Sequence, residues 1–351
     1  MREFVQTKLQ AALDFIRSEA HVTRLVAIIL VWLAFLAITR FDRFYSLLNF
    51  QTMAAQFPEY GLMSLGIMLC MITGGIDLSL VGIANLTGIF MAYLLLALTG
   101  ESGELPALAV PLVFALGALV GLSLGFFNSV LITRFNISPI LATLGAGELF
   151  RGIAMAMTNG VAVSRFSSDY AMTINNRIFG NLIPVQTLVF IGAVVFVWVL
   201  LARTTYGPKL YMLGTNPVAA RFSGLKTKTL LTKTYLLSGL FAGIAGMVML
   251  GNYNSARADY GAVYTLQNIM IVILGGVSPF GGKGRISGVV LAIILVQLLQ
   301  TGINRFPAIN SFFIFLLWGS ALLLVMVLNV FSDAYGNQKK KKKRRREAAT
   351  T

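Results

Sequence analysis

Long apolar stretches recur through most of this 351-residue chain, separated by short polar breaks. About 20 consecutive apolar residues form a helix that crosses the ~30 Å hydrocarbon layer of a bilayer. Hydrophobic residues make up 57% of the chain and charged residues only 12%, a composition typical of membrane proteins. The pattern predicts an all-α polytopic fold with about ten transmembrane helices. The predicted spans are residues 23–39, 55–73, 80–98, 107–133, 139–158, 185–202, 231–250, 262–276, 286–303 and 311–331.

Lysine and arginine residues are distributed unequally between the two sides of these spans. Of the 28, 21 lie in the terminal segments and alternate loops, six lie in the opposite loops, and Arg151 lies within a span. Because cytoplasmic segments carry the excess of cations, both termini are predicted to be cytosolic. The chain then divides into a cytosolic interfacial helix (1–22), a transmembrane domain (23–331) with a basic loop at about 203–230, and a polybasic cytosolic tail (332–351).

The two terminal segments suggest contacts with the membrane surface. Phe4, Leu9, Leu13 and Ile16 fall roughly on one helical face, as in a helix lying in the interface, although a solvated lead-in is the alternative. The eight cations of residues 339–346 follow an apolar span and predict contact with anionic lipid rather than with nucleic acid. A merely solvated tail is the alternative there.

The chain lacks the residues that most enzymes need. His21 and Cys70 are the sole histidine and cysteine, so no Cys/His metal site, disulfide or histidine-activated nucleophile can be assembled. The glycine-rich sequence at 276–285 does not meet the phosphate-loop pattern and is predicted to be a turn. We therefore expect a non-enzymatic protein without a cofactor, which does not bind ATP through such a loop.

Few ionisable groups are available inside the spans to couple transport to protons or sodium. The candidates considered are Asp77, Glu148 and Arg151, and the last two are three residues apart on one helical face, where they can neutralise each other. The chain is therefore either a passive channel or a transporter driven from outside. A short glycine-bounded segment at 214–224, inside the basic loop, is predicted to form a short helix and favours the driven transporter. Gly214 and Gly224 are expected to be its flexible ends, with simple helix caps as the alternative.

Small and polar residues within the spans predict two kinds of contact. Glycines at about one-turn spacing predict close helix crossing; they are Gly117, Gly121, Gly125, Gly239, Gly243 and Gly246. Polar side chains in apolar spans must face a pathway or another helix. The candidates for a pathway or gate are Asp77, Asn85, Asn128, Thr143, Gln297 and Asn304. Hydrogen bonds between helices are the alternative for each, and Asp77 has the further alternative of capping the third span.

Several motifs together resemble the permease subunits of ribose-type ABC sugar importers. In chain order they are GGIDLS, GFFNSVLITRF, PILATLG, NPVAARFSG, TYLLSGLFAGIAG, ILGG and GGKGRISG. The resemblance extends from the second span to the ninth. It implies a ten-helix subunit of the bacterial inner membrane that pairs with a second permease, the same or a sister chain. It also implies an extracytoplasmic solute-binding protein and a separate ATP-binding cassette subunit as partners.

The resemblance places the contact with the ATPase at residues 216–224, which we call the coupling segment. Its implied contact residues are Asn216, Ala219, Ala220, Arg221 and Gly224. Val218 stands where many related loops carry an acid. A glycine at position 224 is expected to need a positive φ, as glycines after helices often do. The implied solute is monosaccharide-like, with nucleosides or other small polar solutes as the alternative within the family and a self-sufficient carrier as the alternative outside it.

Overall fold

The computed structural model describes residues 20–100, 104–106 and 108–306, together with 316, 319 and 320. Residues 1–19 of the predicted interfacial helix and the whole polybasic tail lie outside the described residues. Of the predicted tenth span, only the helical residues 316, 319 and 320 are described. The chain divides into two compact units, Met1–Arg305 and Phe306–Thr351. All helices and strands with assigned bounds lie in the first unit.

The first unit consists almost entirely of α-helices. In chain order the elements are α1 (Ala20–Thr39), α2 (Phe41–Phe44), α3 (Leu47–Ile72), α4 (Leu80–Thr99), α5 (Ala109–Thr133), α6 (Pro139–Thr158), α7 (Asp169–Ile174), β1 (Arg177–Ile178), β2 (Ile183–Pro184), α8 (Val185–Ala202), α9 (Tyr206–Thr215), α10 (Pro217–Phe222), α11 (Thr227–Tyr253), α12 (Tyr264–Leu274) and α13 (Ile286–Ile303). The two short strands pair antiparallel.

The prediction of an all-α polytopic membrane protein is confirmed. Within the described residues, eight helices are long and apolar enough to cross a membrane, and they coincide with eight predicted spans: α1, α3, α4, α5, α6, α8, α11 and α13. The predicted eighth span is shorter than expected. Its helix, α12, has 11 residues and is therefore about 16 Å long, roughly half the thickness of the hydrocarbon layer.

Some helix bounds differ from the predicted spans because local signals outweigh hydropathy. α3 begins at Leu47, eight residues before the predicted start, where the Ser46 hydroxyl accepts a hydrogen bond from Asn49 N at 3.2 Å. It then continues through Pro58. The basic loop contains two helices, α9 and α10, where one short helix was predicted. The strand pair and α7 had no sequence prediction.

α11 is the central helix of the unit and packs against α3, α4 and α5. The predicted close crossing is confirmed where α5 meets α11, because a Cβ added to Gly121 would lie 2.5 Å from Gly239 O. A Cβ on Gly243 would likewise lie 2.9 Å from Gly117 O. Gly246 approaches α4 instead, where a Cβ would overlap Ala84 O. These glycines therefore hold the bundle together by backbone contact.

Candidate functional site

The coupling segment forms a short, well-capped helix. Asn216 is extended, and its Oδ1 accepts hydrogen bonds from Val218 N at 3.1 Å and Ala219 N at 3.0 Å. Pro217 follows at the first helical position, where its fixed φ favours the helix and its missing N–H costs nothing. Gly224, after the helix, has φ +82°, as expected for this position. The sequence thus fixes both ends of α10.

One face of α10 is buried and the other is open. Ala220 is 3% exposed, so it anchors α10 to α9 and α11 and offers no contact surface to a partner. The resemblance implied that both Ala219 and Ala220 contact the ATPase, but of the two only Ala219 is exposed. Arg221 is also exposed, and Val218 and Phe222 are 65% and 89% exposed. The open face therefore combines an aromatic ring, small apolar side chains and one cation.

The coupling segment is joined to the bundle through four glycines, Gly74, Gly214, Gly281 and Gly282, which we call the glycine junction. Gly214, in the last turn of α9, is buried, and an added Cβ would overlap Ile72 O at the end of α3. Gly282 N donates to the same carbonyl at 2.9 Å. Gly281 is equally close, since its Cβ would lie 2.7 Å from Gly214 O and 2.8 Å from Gly74 N. Gly214 is therefore a packing residue and not a flexible end of the segment.

A tyrosine reinforces the same junction. Tyr211 on α9 donates its hydroxyl hydrogen to Gly284 O at 2.8 Å. Burial raises the pKa of Tyr211, so the phenol keeps the proton that this bond requires. α9, the end of α3 and the 275–285 loop thus contact one another through backbone atoms at the glycines and through the Tyr211 hydroxyl.

A buried polar network surrounds Asp77 in the loop between α3 and α4. Asp77 Oδ1 accepts from Ser79 N at 3.0 Å and Ser79 Oγ at 2.6 Å, and Oδ2 accepts from Ser238 Oγ on α11 at 2.7 Å. Asn128 Nδ2 on α5 donates to Ser79 Oγ at 2.6 Å. Ser79 occupies the N-cap position of α4 without a side-chain cap hydrogen bond, and Asp77 accepts from Ser79 N in the turn that precedes the helix.

Thr143 extends this network to α6. Its hydroxyl oxygen accepts a hydrogen bond from Leu78 N at 3.0 Å. Three of the six predicted pathway residues, Asp77, Asn128 and Thr143, are therefore brought together, and all three are buried. Each has hydrogen bonds to neighbouring elements, as the alternative interpretation expected.

Asn85 lies beside a cavity of about 140 Å³. The lining includes Glu148 and Arg151 of α6, which form an ion pair at 3.9 Å with side chains 69% and 46% exposed. The predicted pair is thus present, on an open face of α6. Asp259 and Thr265 also line the cavity, so one amide, one hydroxyl and three charged groups surround it.

The two remaining predicted pathway residues lie elsewhere. Gln297 on α13 donates to Gln56 Oε1 and Thr301 Oγ1, each at 3.1 Å, and accepts from Tyr60 OH at 2.6 Å. Asn304 is exposed at the C-terminal cap of α13. Neither lines the cavity beside Asn85. The six residues therefore do not form one continuous lining.

Sequence reasoning missed a buried acid, Glu59 on α3. It is 2% exposed, and its Oε1 accepts from Asn252 Nδ2 at 2.5 Å. Oε2 accepts from Tyr253 OH at 2.8 Å and Tyr264 OH at 3.0 Å. Its position inside the predicted second span was the available signal, because an intramembrane carboxylate needs specific partners. No group of three or more metal-ligating side chains occurs among the described residues.

Comparison with known proteins identifies the family. Residues 49–331 match the family model described as "Branched-chain amino acid transport system / permease component". The chain is 32% identical to the ribose import permease protein of Bacillus subtilis over 282 residues, covering 80% of this chain and 84% of that protein. The chain belongs to this permease family.

A second group of relatives supports the same assignment. The permease is 31% identical to the autoinducer 2 import system permease protein of Yersinia enterocolitica over 273 residues, 76% of this chain and 79% of that protein. No solved structure matches. The permease is similar to the membrane subunits of ribose-type ABC importers and is not itself an enzyme, and it is a multi-pass protein of the bacterial inner membrane.

Proposed function

We propose that this permease translocates a monosaccharide-like solute, which an extracytoplasmic binding protein delivers and a separate ATP-binding cassette subunit drives across. The observation that carries the proposal is the exposed, capped helix α10 in a chain of this family. A rigid short helix with an open apolar face is suited to insertion into a cleft of a partner. The basic loop around it is predicted to be cytosolic, where ATP is available.

Movement of the coupling segment has a direct route into the bundle. α10 is held to α9 and α11, and α9 meets the end of α3 at the glycine junction. Because the contacts at the glycine junction are backbone to backbone, a displacement that reaches α9 cannot be absorbed there by side-chain rotation. The ATPase then acts on α3, α9 and α11 together, and the bundle alternates between inward and outward access.

The open face of α6 supports pairing with a second permease, either the same chain or a sister chain. Glu148 and Arg151 are exposed there, and an added Cβ at Gly145 or Gly152 would meet no atom within 4 Å. Charged side chains are unfavourable in hydrocarbon, by about 2.5 to 3.5 kcal/mol each near the helix centre. A second subunit or a shared aqueous pathway would remove this cost.

The cavity beside Asn85 supports a polar, hydroxyl-rich solute. Its amide, its hydroxyl and the adjacent charged groups offer both donors and acceptors. The relatives' names specify ribose and autoinducer 2, whereas the family description specifies branched-chain amino acids. Nucleosides or other small polar solutes remain the alternative within this scaffold, and a self-sufficient carrier is the alternative outside it. We also propose that the polybasic tail contacts anionic lipid.

Reconstitution tests this function. The permease is placed in proteoliposomes with its co-expressed ATPase and binding protein, and uptake is measured for ribose, other monosaccharides, a nucleoside and leucine. We expect ATP-dependent uptake of a monosaccharide and no ATP hydrolysis by the permease alone. Hydrolysis by the purified chain, or sugar uptake without the ATPase, would contradict the proposal.

A further inference from the structure

A short irregular segment covers the cavity beside Asn85. Residues 254–263, which we call the lid, connect α11 to α12 without forming a helix. Ala258, Asp259 and Ala262 of the lid line the cavity. The remaining walls come from the continuous helices α4 and α6, from Leu78 in the loop before α4 and from Thr265 in the first turn of α12. The lid is therefore the part of the lining that can move without unfolding a helix.

Hydrogen bonds join the middle of the lid to α4 and to the loop before α7, and the Tyr260 ring packs against Tyr253. Asn85 Nδ2 donates to Ala258 O at 3.0 Å and to Tyr260 O at 2.8 Å. Ala256 pairs with Val163 through two backbone hydrogen bonds of 2.8 and 2.9 Å. Water can replace each of these bonds when the lid lifts, so their net contribution is modest.

Both ends of the lid meet at a single carboxylate. Tyr253 is the last residue of α11 and Tyr264 is the first residue of α12, so they flank the lid directly. Their hydroxyls both donate to Oε2 of Glu59, at 2.8 and 3.0 Å. Glu59 lies within the mostly buried helix α3, which gives it a fixed position. The separation of the two lid ends is therefore set by one buried acceptor.

The lid and the coupling segment lie at opposite ends of α11. The coupling segment precedes Thr227 and the lid follows Tyr253, and the 27-residue helix between them is about 40 Å long. α11 also carries Ser238, which binds Asp77, and therefore contacts both the lid and the network at the start of α4. Because Tyr253 is the last residue of α11, a movement of α11 also moves Tyr253.

We propose that residues 254–263 form the gate of the solute cavity on the side away from the coupling segment, and that Glu59 is the positioning residue that keeps this gate closed. The proposal rests on the proposed function, which makes the cavity part of the solute pathway. Opening separates the Tyr253 or Tyr264 hydroxyl from Glu59 and releases the lid from Asn85.

Cysteine labelling measures lid opening without any transport partner. Ala258, within the lid, is buried, and Cys70, the sole natural cysteine, is also buried. An Ala258→Cys permease in lipid nanodiscs, where both faces are accessible, is treated with a water-soluble maleimide. The same labelling is measured with Tyr253→Phe and Tyr264→Phe, singly and together. Tyr60→Phe is the matched control, because it removes a buried α3 hydroxyl that binds Gln297 and keeps the ring that packs against Tyr264.

We expect the double variant to label roughly tenfold faster than Ala258→Cys alone, because two hydrogen bonds to the Glu59 carboxyl group are lost. Each single variant should show a smaller increase, and Tyr60→Phe should show none. Equal labelling rates in all variants would overturn the proposal, as would the same increase with Tyr60→Phe. If the double variant does not fold, the two single variants decide between these outcomes.

Uptake by the reconstituted complex separates this inference from the proposed function. If the wild-type complex takes up sugar and the lid variants leak sugar without ATP, the proposed function and the gate assignment both stand. If the complex takes up sugar while labelling is unchanged by the lid variants, the gate assignment is wrong and the proposed function stands. If no solute is taken up but the labelling pattern holds, the lid still opens as inferred and the proposed function fails.

Discussion

The segments that flank the two ends of α11 are built in different ways. At the coupling end, the glycine junction brings main-chain atoms into direct contact, so that an added Cβ on Gly214 would overlap Ile72 O. At the lid end, the contacts are side-chain hydrogen bonds centred on Glu59 and Asn85. Backbone contacts transmit displacement with little loss, whereas a few polar bonds can be broken and remade. Under the proposed function, the coupling end is therefore stiff, and the lid end can open and close.

The largest expected effect is at the coupling end. Gly214→Ala should lower the free energy of unfolding by about 3 kcal/mol or more, because the methyl group has no space beside Ile72. Gly192→Ala is the control, since a Cβ there meets no atom within 4 Å. It should be neutral or slightly stabilising. Thermal unfolding in detergent measures the stability of both variants. Equal stability would show that the glycine junction is not tightly packed.

An intermediate effect is expected at the lid end. Asn252→Ala removes a donor to Glu59 and an acceptor for Gln186 Nε2, which binds it at 2.8 Å. We expect a loss of about 2 kcal/mol in unfolding free energy, because the polar partners become undersatisfied. Asn304→Ala, at an exposed position, should change stability by less than about 0.5 kcal/mol. If Asn252→Ala destabilised as strongly as Gly214→Ala, the two ends would not differ in the way described.

The smallest expected effect concerns the cap of the coupling segment. Asn216→Ala removes the acceptor for Val218 N and Ala219 N, at a cost of about 1 kcal/mol. Because α10 has only six residues, this loss should appear as weaker ATPase binding rather than as a lower unfolding temperature. Asn216→Asp, which keeps an acceptor, should restore binding. If Asn216→Asp did not restore ATPase binding, the hydrogen bonds of the cap would not be what supports docking.

Much of the fold follows from local sequence signals. Runs of apolar residues locate the long helices, and the glycines of α5 and α11 predict their crossing, because both depend on residues close in sequence. The start of α3 at Leu47 was missed because polar residues in its first turns lower the hydropathy there. The same limitation hid the second helix of the basic loop.

The site was predictable only in part. Asp77, Asn128 and Thr143 were singled out individually, but their meeting depends on the packing of α4, α5, α6 and α11, which periodicity does not specify. Ala219 and Ala220 are adjacent and chemically identical, so only the packed structure distinguishes the exposed one from the buried one. Glu59 was overlooked because its three partners follow it by more than 190 residues.

The central claim, that α10 receives the force from an ATPase, is tested by paired substitutions of Ala219 and Ala220. Both variants carry a new arginine, but Ala219→Arg places it on the open face and Ala220→Arg places it inside. Leu182→Arg, at an exposed position outside the basic loop, is the control. Co-purification of the ATPase and thermal unfolding of the permease are measured for all three.

Ala219→Arg should reduce the recovered ATPase by about tenfold or more while leaving the unfolding temperature unchanged, because it blocks a cleft without disturbing the bundle. Ala220→Arg should lower both, since the side chain cannot fit beneath α10. Leu182→Arg should lower neither. If Ala219→Arg binds the ATPase and supports ATP-driven uptake like the wild type, residues 216–224 are an ordinary loop and the coupling assignment is wrong.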